Sequence, residues 1–162
     1  MLTKNFYSYM KAKLQNVTTE FTIKNGEVIT YAPASDNPPF AVMNKWSASV
    51  NEMGVSFGTG TTPATASDYA LESVLSGTQI SVAAPSAVSY SRGDAFDEYS
   101  VSFGVTNKTS DAITVSEVGL TAKTHPNFNN AYTLVERTVL DTPVTIPPHE
   151  TKHIAYTIRF NY

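Results

Sequence analysis

None of the 162 residues is a cysteine. No disulfide can staple the fold, and no thiolate is available as a nucleophile or metal ligand. Charge is scarce as well: Asp, Glu, Lys and Arg together make up 15% of the chain, with a net charge of −3. A protein that grips nucleic acid needs a basic face to displace counterions from phosphates, so no nucleic-acid partner is expected. Long apolar runs are missing too, and no stretch approaches the ~20 residues of a membrane span. The opening residues, Met1-Leu-Thr-Lys-Asn-Phe-Tyr7, lack the continuous apolar core of a secretion signal. The expectation is a chain with no membrane partner that folds in a reducing cytoplasm.

What remains is 41% hydrophobic, long enough for one domain with its own core. Thr and Ser alternate along the chain with Val, Ile, Phe and Tyr, a mixture suited to half-buried strands. The first segment differs. Leu2, Phe6, Tyr9 or Met10, and Leu14 recur every three to four residues, which predicts a short helix over 1–16. Such a helix must dock on something to persist in water. Residues 17–162 are read as one β-sandwich domain.

Within that domain, Lys24-Asn25-Gly26-Glu27 between apolar residues predicts a tight hairpin with Asn25 and Gly26 both at positive φ. Residues 32–39 carry too many prolines and turn formers for a strand and are read as an exposed contact loop. Trp46, Ala48 and Val50 alternate, as do Val55 and Phe57 after Gly54, a candidate bulge. Thr65 and Asp68 have the spacing of a capping box, and Leu71, Val74 and Leu75 share a face, predicting a second short helix over 67–75. Tyr99, Val101, Phe103 and Val105 form the cleanest alternating strand. Ile113 to Leu120, Tyr132 to Leu140, Val144 to Ile146 and Ile154 to Phe160 supply more. The fold class is all-β: about eight strands with short turns, a sandwich of immunoglobulin-like or jelly-roll type, with two short helices.

Candidate sites are few. Gly58-Thr-Gly-Thr-Thr-Pro63 invites a phosphate, but it lacks the Lys of a P-loop and reads better as a turn. His125, His149 and His153 lie on loops and a strand that do not hold them on one face, so no metal is assigned. Asp94, Asp97 and Glu98 lack calcium-loop spacing. Arg92-Gly93-Asp94 matches a receptor-read tripeptide, too short to carry a claim. Asn16 and Asn107 fit the glycosylation pattern, which without a secretion signal has no use. There is no nucleophile elbow. The reading is therefore a non-enzyme with no cofactor.

One pairing stands out. Glu117 interrupts the apolar strand Ile113-Thr-Val-Ser-Glu-Val-Gly-Leu120, and Arg137 interrupts Thr133-Leu-Val-Glu-Arg-Thr-Val-Leu140. Charges inside a sheet need partners, because an unpaired buried ion is very costly. Glu117 and Arg137 are read as a structural ion pair between neighbouring strands. Arg137→Ala is expected to reduce folding sharply, and changing both residues, to Met and Leu, to recover much of the stability.

Three stretches taken together resemble small structural proteins of tailed bacteriophage particles. They are Val55-Ser-Phe-Gly-Thr-Gly-Thr-Thr-Pro63 with Asp68-Tyr-Ala-Leu71; Ile113-Thr-Val-Ser-Glu-Val-Gly-Leu120; and Leu134-Val-Glu-Arg-Thr-Val-Leu140 with Pro143-Val-Thr-Ile-Pro-Pro147 and Tyr156-Thr-Ile-Arg-Phe160. The resemblance implies a β-sandwich component of a virion's tail, neck or capsid surface, assembled in the host cytoplasm. Its partners would be other virion proteins and copies of itself, and the group brings no catalytic residues. The alternative is a carbohydrate- or receptor-binding module, with Tyr7, Tyr9, Tyr31, Tyr69, Tyr90, Tyr99, Tyr132 and Tyr162 as candidate platforms.

Overall fold

The computed structural model describes residues 1–15, 19–31, 53–123 and 132–161. The Trp46 to Val50 strand, the proline loop and His125 lie outside them. Helix α1 spans Lys4–Gln15. Strands β1 (Thr19–Thr22) and β2 (Val28–Tyr31) form a hairpin of their own. Strands β3 (Gly54–Gly58), β7 (Ile113–Lys123) and β8 (Tyr132–Ile146) make a three-stranded antiparallel sheet in the order β3-β7-β8. In the facing sheet, β6 (Phe96–Asn107) pairs along one flank with β9 (Thr151–Asn161). Its other flank takes β5 (Ala87–Arg92) and then β4 (Ile80–Val82).

The two sheets close over one apolar core, giving an all-β sandwich. Val55 and Phe57 on β3 and Val115, Val118 and Leu120 on β7 meet Val101, Phe103 and Val105 on β6 and Ile154, Tyr156 and Ile158 on β9. The Phe57 and Phe103 rings meet edge to face at 5.9 Å across this layer. A side chain of that size contributes about 1.5–3 kcal/mol on leaving water. The four-stranded sheet shows the alternation of a face turned to solvent: on β9, Ile154, Tyr156 and Ile158 are buried while Ala155, Thr157 and Arg159 are exposed.

The three-stranded sheet is covered on both sides. Helix α1 lies against β1 and β8, and Tyr9, Ala12 and Phe21 form a small second core. Asn5 ties this layer together, its amide donating to Thr22 O and Leu134 O. Residues 59–76 cover the rest, with Leu71 set against Gly119, where a Cβ would come within 2.8 Å of Leu71 Cδ2.

Two expectations about local structure are corrected here. No helix forms over 67–75. Thr65 and Asp68 do make reciprocal bonds, but these close a turn. Beyond it the chain runs extended beside β3: Val74 bridges Gly58, and the Leu75 amide donates to Phe57 O at 2.8 Å. The hairpin also differs, since only Gly26 has positive φ, at 87°. The Gly26 amide donates to Ile23 O and the Ile23 amide to Glu27 O, leaving a three-residue loop with glycine in the left-handed position.

Bulges decide which way side chains point. β7 and β8 lose register between Val115 and Glu117, where Ser116 on β7 faces residues 140–143 on β8 with no pairing. Pro143, which has no amide to give, therefore sits where none is needed, and β8 runs through it as one strand instead of two. Over the same stretch the parity of β7 flips. Ile113 and Val115 point into the sandwich, as do Val118 and Leu120, while Glu117 turns to the outer face.

Candidate functional site

On that outer face Glu117 is fully buried and Arg137 is 3% exposed. Arg137 Nε donates to Glu117 Oε2 at 2.8 Å. The pair is the centre of a larger cluster. Arg137 Nη1 donates to Asp68 Oδ2 at 2.7 Å, and Nη2 donates to Thr62 O at 3.0 Å and to Glu72 Oε2 at 3.5 Å. Glu117 Oε1 accepts from the amides of Gly60 and Ser73, and Oε2 accepts from the Glu72 amide. Every side-chain hydrogen bond the two make outside the pair is to residues 59–76. Two charges on neighbouring strands thus hold down the long connection between β3 and β4.

The glycine-rich segment 58–63 does bind an anion, and the anion is the protein's own carboxylate. The Gly60 amide is taken by Glu117, and the Thr62 amide by Glu72 Oε2 at 2.8 Å. Glycine is required for the approach, since a Cβ at Gly60 would lie 2.6 Å from Glu117 Oε1 and one at Gly58 would lie 2.6 Å from Ser73 O. The Thr62 amide and hydroxyl hold Glu72 below the ordinary carboxylate range. At Asp68, burial pushes the pKa up, but the Thr65 amide and the Arg137 guanidinium outweigh it and the carboxyl lies low. Arg137 remains charged: burial opposes the charge, and Asp68 and Glu117 more than restore it.

A second polar network closes one side of the sandwich. Residues 1–3 lie along the outer edge of β8, with Leu2 bridging Glu136 and the Thr3 amide donating to Val135 O. The Met1 ammonium donates to Glu136 Oε1 at 2.6 Å and to Arg137 O. Glu136 Oε2 accepts from the buried Tyr156 hydroxyl at 2.7 Å. Burial first, and then the adjacent Glu136 carboxylate, push the Tyr156 phenol well above its usual pKa.

The remaining candidates are dispersed. His149, at φ 60°, and His153 are exposed, and no group of three metal-ligating side chains occurs among the described residues. Asp97 and Glu98 point to opposite faces of β6, where Asp97 binds Arg92 and Glu98 binds Arg159. Arg92 of the Arg-Gly-Asp tripeptide is thereby held on its own sheet. Asn107 is fully buried, its amide donating to Asp111 O, Ile146 O and Pro147 O, which leaves nothing to glycosylate in the folded chain. Asn16 and Tyr162 lie outside the described residues. Of the tyrosines, Tyr9 is buried, Tyr7 and Tyr69 are exposed singly, and Tyr90 and Tyr99 are exposed as a pair with ring centroids 4.9 Å apart. Sequence patterning alone could not pair them; the β5–β6 register does. No family model, curated protein or solved structure matches this chain.

Proposed function

We propose that this chain is a structural component of a bacteriophage particle, without catalytic activity, held in place by contacts with copies of itself and other virion proteins. The observation that supports the reading is the use made of the charges gathered around Glu117 and Arg137. Glu117, Arg137, Asp68 and Glu72 spend their hydrogen bonds on backbone amides, a carbonyl, two threonine hydroxyls and one another. They leave a fastened loop. A part that transmits load in an assembly needs such a rigid body, and its specificity then resides in its surface. The assembly surfaces would be found on the exposed sheet of β4, β5, β6 and β9 and around α1.

Two measurements test this. Mass spectrometry and imaging of particles from the phage or prophage encoding the chain should find it at a stoichiometry set by particle symmetry. Absence from purified particles, or a gene without capsid, portal or tail neighbours, would remove the reading. Turnover of any substrate abolished by an active-site substitution would remove the non-enzymatic half.

A further inference from the structure

The four-stranded sheet outruns its partner at the β5–β6 hairpin. Val101, Phe103 and Val105 are buried on the core side of β6, yet Tyr99, on the same side, is 45% exposed. Its register partner on β5, Tyr90, is 50% exposed. Their rings are tilted at 42°, and the next cross-strand pair on the same face is Arg92 with Asp97. The Tyr90 hydroxyl and Arg92 Nε both donate to Asp97 Oδ1 at 2.8 Å, and Arg92 Nη2 donates to Asp97 Oδ2 at 3.2 Å. The other neighbours of Tyr99 and Asp97, Ile158 and Phe160 on β9, line a cleft of about 300 Å³ shared with Leu2 and Glu136.

We propose that Tyr90, Tyr99, Arg92 and Asp97 form a binding site for an uncharged glycan. The inference is independent of the particle reading, since such a site could serve any surface protein. Three features select the ligand class. The two rings are held by the sheet register and, for Tyr90, by a hydrogen bond, so they are rigid before binding and little ordering is lost. Arg92 and Asp97 cancel in charge, so the pair itself gives an ionic ligand no net charge to pair with. Arg92 is 67% exposed, and of its five N–H groups only two are used on Asp97, leaving the others to donate to hydroxyls. A pyranose ring has this duality, with an apolar C–H face for the tyrosines and equatorial hydroxyls for the guanidinium and carboxylate. A second copy of the chain fits less well. Two half-exposed tyrosines offer roughly 200 Å², against the ~1,000 Å² of a stable protein interface.

The test is a glycan array followed by calorimetric and NMR titration of the whole chain with maltohexaose, cellohexaose, chitohexaose and mannohexaose. Saturable binding of a neutral glycan supports the site if Tyr99→Ala and Arg92→Ala each weaken it tenfold or more at unchanged melting temperature. Tyr99→Phe should keep most of the affinity, and Tyr7→Ala, on α1, all of it. If Tyr99→Ala unfolds, Arg92→Ala and Tyr99→Gln decide. The proposal is overturned if no neutral glycan binds, if only sulfated or sialylated ones do, or if binding survives both alanine changes. Self-association abolished by Tyr99→Ala would also overturn it, in favour of a second copy.

Discussion

Arg137 Nε and Glu117 Oε2 lie 2.8 Å apart beneath residues 59–76, on neighbouring strands and on the face turned away from the sandwich core. Removing one partner from a dry pair typically costs about 3–5 kcal/mol. Arg137→Ala should lower stability by that amount in chemical denaturation and should free the connection between β3 and β4, seen as faster amide exchange at Gly60 and Ser73. Glu117→Leu with Arg137→Met should not return the molecule to parental stability. Glu117 serves three amides besides Arg137, and the double change leaves them and Asp68 without their partners. The two losses should nonetheless be less than additive, because the residues touch.

Acid should loosen the same connection. Asp68 and Glu72 have folded-state pKa values below their ordinary 3.8 and 4.5. A carboxyl depressed in the folded state contributes stability that is present above its unfolded pKa and lost as pH falls through the folded one. Stability should therefore decline from about pH 4.5 downward, the part owed to the half-exposed Glu72 being small because water screens it. Asp68→Asn should flatten the slope in melts between pH 5 and 3. An unchanged slope would show that Asp68 does not contribute to it.

Gly26, at φ 87°, takes the left-handed position of its hairpin. Gly26→Val should cost about 1 kcal/mol or more, and Gly26→Asn markedly less, since Asn tolerates that region. Equal melting temperatures for the two variants would contradict the turn geometry.

Asn107 joins the end of β6 to the β8–β9 turn through the Ile146 and Pro147 carbonyls, and closes the β6–β7 turn through Asp111 O. Asn107→Asp keeps the shape but replaces the amide donor with an acceptor facing those oxygens. A loss of about 1–3 kcal/mol is expected at neutral pH, partly regained when acid protonates the new carboxyl. A melt across pH reads both effects.

The sandwich was legible in the alternation of Val101, Phe103 and Val105, and α1 in the spacing of Phe6, Tyr9 and Met10. Glu117 and Arg137 were legible because charge interrupted two apolar strands. Their companions were not. Asp68 and Glu72 come from an irregular segment whose Thr65-to-Asp68 spacing imitates a helix start. The amides a helix would need there donate instead to Glu117, a residue 44 and 45 positions away. The change of face at Ser116 was not legible for a related reason, since a bulge is set by pairing between strands and leaves little trace in either one. Tyr90 and Tyr99 became neighbours only once register was known.

Because α1 and residues 59–76 lie over the three-stranded sheet, opposite the sandwich core, every residue of β7 from Val115 to Ala122 is buried. This divides the molecule by its freedom to drift. On β9, alternate positions such as Thr157 and Arg159 face outward and can change without disturbing the core. On β7 a change on one side meets the sandwich and a change on the other meets the covering layer, so each must be answered by a second change elsewhere. Diversity among descendants of this chain would accumulate on the open sheet, which can acquire new surface partners, while β7 and its cover vary only together.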